Sequence, residues 1–299
     1  MGDIYWQDVI GETEQSAGIF SDGGQHQYEE EICAVPEDFS ALPPESAEVS
    51  DGKPVISIVI DDMGVDRKRS ERAVLLPKQV TLAYLPYSLR IREQTAKAKD
   101  KGHELIVHMP MAPERKTANP GPDYLDAALP PLELHERIVK NLDAFEGYDA
   151  VNNHMGSAFT QSKDGINVLM SELKLRGLAF LDSKTAPESI AEKSAQDAGL
   201  RVTHRDVFID HFEDKAKVDA ALAQIERVAK RTGSAVAIGH PKDVTLNALE
   251  KWLPGLEKKG FRLVRLKEVI DLRANKKKRP PADTTVAKNT AAKEETRLP

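Results

Sequence analysis

Two adjacent carboxylates, Asp61 and Asp62, close the most apolar run in the chain, residues 55–60. Charges at the mouth of a buried strand are costly unless each finds a partner or a metal. Four more strand-like runs end in reactive groups: 105–107 leads into His108, 150–153 into His154, 178–181 into Asp182 and 235–239 into His240. One carboxylate and two imidazoles, Asp62, His108 and His154, match the ligand set of a catalytic zinc that keeps one position open. Taken singly, each histidine reads equally well as a satisfied core residue, and one of the two Asp residues as an Asx turn or helix cap. Their joint occurrence at separate strand ends favours chemistry. Strand alternation predicts that Asp61 and Asp62 point to opposite faces, leaving one carboxylate free of metal. His240 is the best candidate for a general acid. Asp182 is suited to orienting a histidine, contacting substrate or capping a helix. Asp206, next to Arg205, is suited to a charge-tuning pair or a surface salt bridge. His26, His103, His135 and His211 read as surface residues, and His204 is unassigned. Acid/base glycoside hydrolysis fits less well, because its carboxyl groups stand about 5–9.5 Å apart across a sugar bond.

Such residues converge only if the strands that carry them run parallel and end on one face. Strand patterns fall at 55–60, 80–85, 105–108, 150–152, 178–182, 200–203, 235–239 and 261–265. Helical patterns alternate with them at 66–75, 89–101, 131–144, 164–176, 187–198, 215–231, 245–259 and 266–274. The clearest helix, 215–231, carries Val218, Leu222, Ile225 and Val228 on one stripe before Gly233. Ser88 and Gly102 are expected to cap the helix at 89–101, and Pro254 to kink or divide the one at 245–259. This alternation predicts an α/β fold, a (β/α) barrel rather than a doubly wound sheet. No glycine-rich phosphate loop follows the first strand, which argues against nucleotide binding.

The 299 residues carry a net charge of −6 that conceals an asymmetry. Residues 1–50 hold twelve acidic and no basic residues, whereas 276–299 hold seven basic and three acidic. The body between is nearly neutral, which argues against nucleic acid as a partner. Expected domains are an acidic disordered tail at 1–52, one barrel domain at 53–275 and a basic disordered tail at 276–299. A single cysteine, Cys33, excludes an intrachain disulfide. No apolar stretch reaches the length of a transmembrane segment, about 20 residues. No signal peptide is visible at the N-terminus, so the chain read as complete would be cytoplasmic.

The segments Ile60-Asp61-Asp62-Met63-Gly64, His108-Met109-Pro110-Met111, Asn152-Asn153-His154-Met155-Gly156-Ser157, Phe180-Leu181-Asp182-Ser183 and Ile238-Gly239-His240-Pro241 occur in an order that resembles the divergent polysaccharide deacetylases. That bacterial family belongs to the glycoside hydrolase/deacetylase superfamily. The resemblance covers about residues 53–272. It implies a NodB-like (β/α) barrel of seven or eight strands, a carbohydrate substrate, and a periplasmic or cell-envelope setting. It also implies a divalent metal, zinc by preference, on Asp62, His108 and His154, with Asp61 as base and His240 as acid. Asp182 or Asp206 would hold the His240 imidazole. The esterases of this superfamily carry a second histidine four residues after the first, where Ala112 stands here, and His154 would replace it. Their arginine motif is absent, Arg205 being the residue that could reach the base, and Pro241 stands where an Asp usually follows the acid histidine. The expected activity is removal of acetyl groups from a carbohydrate. The rival expectation is a non-catalytic envelope protein that binds glycan or a partner.

Overall fold

The computed structural model describes residues 52–278. The acidic tail lies outside the described residues apart from Gly52, and so does the basic tail from residue 279 onward. Residues 276–278, expected in that tail, instead complete the last helix. Strands β1 (Val55–Met63), β2 (Thr81–Tyr84), β3 (Leu105–Met111), β4 (Ala150–Met155), β5 (Ala179–Asp182), β6 (Val202–His204), β7 (Val207–Phe208), β8 (Ser234–Gly239) and β9 (Arg262–Leu263) form one sheet. Its order is β6-β5-β4-β3-β2-β1-β8-β7, with every pair parallel. β8 occupies one edge of β1 from Val55 to Ile60, so β9 and β2 share the other edge. The helices are α1 (Arg67–Ala73), α2 (Ile91–Asp100), α3 (Pro131–Leu142), α4 (Lys163–Leu175), α5 (Ala191–Asp197), α6 (Lys215–Thr232), α7 (Asp243–Trp252) and α8 (Leu266–Lys278).

The sheet curls into a barrel of the expected type, and one strand does double duty. Only Arg205 and Asp206 separate β6 from β7. A single extended segment therefore pairs first with β5 and then with β8, carrying the chain from one end of the sheet to the other. The two-residue β7 is too short to show a periodicity, and it is the strand that sequence patterning misses. Within the barrel the period of two is strict. Val55, Val59, Ile106, Ala150, Leu181, Val236 and Ile238 meet inside, while Ile56, Ile58, Ile60, Val107, Val151 and Phe180 pack outward against the helices.

Leu266, Val269 and Ile270 of α8 plug the interior from below. Glu104 fixes one end of that plug, its carboxylate accepting from Leu266 N at 2.7 Å and Lys267 N at 3.1 Å. Arg273 fixes the other end at the β6–β7 seam. It donates to Thr203 Oγ1 at 2.8 Å, Ser234 Oγ at 3.0 Å and Asp206 Oδ2 at 2.5 Å.

Of the helix ends and breaks read from the sequence, one departs from expectation. Asp214 caps α6 by accepting from Lys217 N at 2.9 Å, and the left-handed Gly233 ends it. Pro254 sits in a 3₁₀ turn, Leu253–Gly255, that divides the predicted helix at 245–259. Ser88 does not cap α2. It is buried with its hydroxyl directed at Met63 O, and the left-handed Arg90 opens the helix instead. Gly102 does adopt the left-handed stop, with φ 86°.

Arg273→Ala should destabilise the protein by about 3 kcal/mol, because it strands the Asp206 carboxylate at a largely buried seam. Urea unfolding measures this. The Arg273→Ala/Asp206→Ala double variant should lose less than the sum of the two single losses.

Candidate metal centre and active site

The same alternation that fills the barrel with apolar side chains places the reactive ones above them. On β3, Ile106 is interior, so His108 is too. On β4, interior Ala150 is followed by Asn152 and His154, and on β8, Val236 and Ile238 by His240. On β1 the sequence Val55, Ser57, Val59 brings Asp61 inward. Asp62 should then point outward, but it does not. Its φ of 54° puts it in the left-handed region, and the β1–β2 register breaks between Ile60 and Met63. Both carboxylates therefore reach the interior, which corrects the expectation of opposite faces. A left-handed L-residue costs roughly 1–2 kcal/mol, and Asp bears it better than most. Met155, directly after His154, is the same kind of outlier with φ 51°. Such strain gathers at functional sites. Gly64 completes the turn with φ 104°, where a Cβ would lie 2.5 Å from Ser88 Oγ.

Asp62, His108 and His154 meet at one point. Asp62 Oδ1 lies 3.2 Å from His108 Nε2 and 3.0 Å from His154 Nδ1, and the two nitrogens are 3.1 Å apart. Asp62 Oδ1 is nevertheless buried without a hydrogen-bond partner. Ligand atoms about 2.0–2.1 Å from a tetrahedral zinc stand about 3.3 Å from one another. An orphaned buried oxygen and two imidazole nitrogens at this spacing fit a divalent metal ion.

Asn152, which opens the Asn152–Ser157 motif, ties this group to Asp61. Its Nδ2 donates to Asp61 Oδ1 and Oδ2 at 2.9 and 3.0 Å, and its Oδ1 accepts from His108 Nδ1 at 2.9 Å. The His108 Nδ1 proton is thereby engaged, and the Nε2 lone pair faces Asp62 and His154. Burial raises the Asp61 carboxyl above its usual range, opposed by the His108 and His240 imidazoles and by Asn152. Burial also works on Asp62, but His154, His240 and His108 hold it well below the ordinary carboxylate value. For His108, burial disfavours the proton, yet the Asp61 and Asp62 carboxylates outweigh it and raise its pKa.

His240 faces the group from β8, with Nε2 3.7 Å from Asp62 Oδ2. Asp210, two residues past β7, orients it. Its carboxylate accepts from His240 Nδ1 at 2.9 Å, from His240 N at 2.7 Å and from Thr245 Oγ1 at 2.6 Å. Burial opposes the charge on His240, but Asp210 and Asp62 push its pKa up to about 10. Neither Asp182 nor Asp206 takes this place. Asp182 follows outward-facing Phe180 by two and so points away, accepting from Lys184 N and Ser189 Oγ. Asp206 lies at the start of β7, paired with Arg273 and Val236 N, at the wrong end of the strand. The alternation of β5 carried the first correction. Past the two-residue β7, outward Val207 and Ile209 leave Phe208 and Asp210 facing in.

Arg205 donates to the carbonyls of Ser183 and Lys184 and lies over the Phe208 ring, 4.9 Å from its centroid. Ala112, in the second-histidine position of the esterases, engages Leu125, Ala158 and Phe159 through its backbone. His204 pairs with Glu192 at 3.0 Å. His135 pairs with Glu172 at the surface, whereas His103 is buried, its ring nitrogens on the carbonyls of Val80 and Val74.

Two measurements follow from these fields. Metal binding must displace the proton that the carboxylates favour on His108, so affinity should weaken steadily as pH falls from about 8 to 5.5. A chelator-competition titration reads this, and a flat profile would remove the histidines from the ligand set. Asp210→Asn should bring the His240 titration in metal-free protein down toward the ordinary imidazole value of about 6.5, followed by NMR.

The family model for divergent polysaccharide deacetylases matches residues 58–270, a span that contains every residue of this site. The uncharacterized protein YibQ of Escherichia coli (strain K12) is 34% identical over 221 residues, 73% of this chain and 67% of that protein. An uncharacterized Haemophilus influenzae protein is 32% identical over 203 residues, 67% of this chain and 71% of its own length. The crystal structure of an uncharacterized Agrobacterium tumefaciens protein superposes with a TM-score of 0.71 at 25% identity, covering 76% of this chain and 92% of that one. With the family match spanning β1 to α8, the chain belongs to the divergent polysaccharide deacetylases.

Proposed function

We propose that the chain is a metal-dependent hydrolase that removes N- or O-acetyl groups from a carbohydrate. The observation that carries this reading is the convergence of Asp62, His108 and His154, with Asp61 and His240 held within 3.7 Å of members of that trio. A divalent ion on those three ligands, zinc by their mixed donors, would polarise the acetyl carbonyl and acidify water. Asp61 takes the proton of the attacking water, its raised pKa favouring that role. A C–O bond forms at the carbonyl carbon as the acetyl C–N or C–O bond breaks. His240 gives its Nε2 proton to the departing amine or alcohol, leaving acetate. Asp210 keeps Nδ1 engaged, so the mobile proton sits on the side facing Asp62. Asn152 holds the Asp61 carboxylate in place throughout.

The rival reading, a non-catalytic glycan or partner binder, draws on the missing arginine motif and on the missing histidine at Ala112. His154 on β4 offsets that loss, because its Nδ1 stands 3.1 Å from His108 Nε2. An acid–base pair with its own orienting groups, Asn152 and Asp210, also favours turnover over simple binding.

Elemental analysis should find about one equivalent of metal per chain, with His108→Ala and His154→Ala each losing most of it. Asp61→Asn should keep the metal while acetate release from chitooligosaccharide, acetylated xylan or peptidoglycan fragments falls roughly 10²–10⁴-fold. Metal retained in full by both histidine variants would sink the ligand assignment. Wild-type protein that releases no acetate from any of these substrates would leave the binder reading standing.

A further inference from the structure

Beyond β7 a run of aromatic rings leads outward from the proposed proton donor. The Phe208 ring lies edge-on to His240 with centroids 5.5 Å apart, His211 is 5.8 Å from Phe208, and Phe212 is 4.4 Å from His211. Phe208 and His211 are half-buried, and Phe212 is 52% exposed. The other large hydrophobic side chains this exposed among the described residues are all leucines. An aromatic ring in water gives up burial that the core would otherwise provide, and its flat face suits an occupant with a flat apolar face of its own. Lys217 Nζ stands over the ring, 5.7 Å from the Phe212 centroid, and the next residue, Glu213, pairs with Lys242 at 3.4 Å. A pyranose ring has this dual character, with axial C–H groups on its faces and hydroxyls around its edge.

We infer that Phe212, backed by His211 and Phe208, is the shelf on which a sugar ring of the substrate stacks. The inference rests on the deacetylase reading of the site and adds to it the direction from which substrate enters. In deacetylation the sugar is itself the leaving group, because the nitrogen or oxygen that receives the proton is attached to its ring. The ring must therefore lie on the His240 side of the metal ligands. That is the side on which the aromatic run begins, whereas His108 and His154 stand on β3 and β4, across β2 and β1 from it. Asp210 and Phe212 stand two residues apart, so the group that orients the proton donor and the group that seats the sugar come from one short segment.

The test uses the zinc-loaded full chain and tetra-N-acetylchitotetraose, with deacetylated chitotetraose as a second probe. Calorimetry should show binding of the acetylated probe. Phe212→Ala should weaken it at least fivefold, and Phe212→Trp should restore or tighten it. The Phe212 ring signals in NMR spectra should shift on adding either sugar. In turnover the alanine variant should raise KM with little change in kcat, since the lost contact exists before and during the reaction. Absence of binding to both sugars, or equal affinity in the wild type and the alanine variant, overturns the shelf. Acetate release by the wild type is scored separately. Binding that depends on Phe212 sustains the shelf even if this sugar releases no acetate, and acetate release with Phe212-independent KM sustains the hydrolase and overturns the shelf.

Discussion

Everything at this site depends on the two-residue repeat of a parallel strand inside a closed curl of sheet. The interior must be apolar where no water reaches it, and it must stop being apolar where the strands open to solvent. Strands β1, β3, β4 and β8 cross that boundary at their C-terminal ends. Ile106 becomes His108, Ala150 becomes Asn152 and His154, Ile238 becomes His240, and Val59 becomes Asp61. The polar layer is thus an upper storey built on the same vertical lines as the core. Any residue that shifts the register of one strand would turn its reactive side chain out of the barrel. Asp62 is the exception that the arrangement requires. A regular strand delivers one carboxylate inward, and the left-handed kink delivers the second.

Three carboxylates and three imidazoles in one small buried volume would be intolerable if charged alike. They are alternated. Asp62 stands among His108, His154 and His240, Asp61 is joined to His108 through Asn152, and His240 stands between Asp62 and Asp210. Removing any member would leave its neighbour buried and uncompensated, which costs more than the pair contributes. The same alternation pushes the two Asp residues apart in acidity, Asp61 upward and Asp62 downward. Two adjacent, chemically identical groups thereby become a candidate base and a candidate ligand, and separation of this kind marks acid–base assignments.

Much of this was legible before any coordinates. The strand-end positions of Asp61, Asp62, His108, His154 and His240 were visible because long apolar runs announce parallel strands and because helical stripes separate them. The orienting groups were harder to see. Asn152 sat inside a quoted motif, but an amide bridging a carboxylate to an imidazole leaves no periodic trace. Asp210 follows a strand of two residues, below the length at which alternation can be read, so Asp182 and Asp206 were the natural candidates. Asp182 could have been set aside from parity, since Leu181 faces in and Asp182 must then face out. The backbone of Asp62 could not have been foreseen, because Asp is compatible with extended and left-handed conformations alike.

The barrel also divides the labour of the site between two kinds of strand. β1, β3 and β4, which carry Asp62, His108 and His154, lie within the continuous run of the sheet. Asp210 and Phe208 belong to the segment that leaves β5 and joins β8, the least redundantly paired part of the wall. What holds that segment is Arg273, reaching from the helix that plugs the barrel floor to Thr203, Asp206 and Ser234. Asp206 stands four residues before Asp210, so the grip on the seam is passed upward along a single short strand. A cation at the base of the barrel thus holds the segment that leads to Asp210, while Asp62, His108 and His154 stand on strands other than those Arg273 grips.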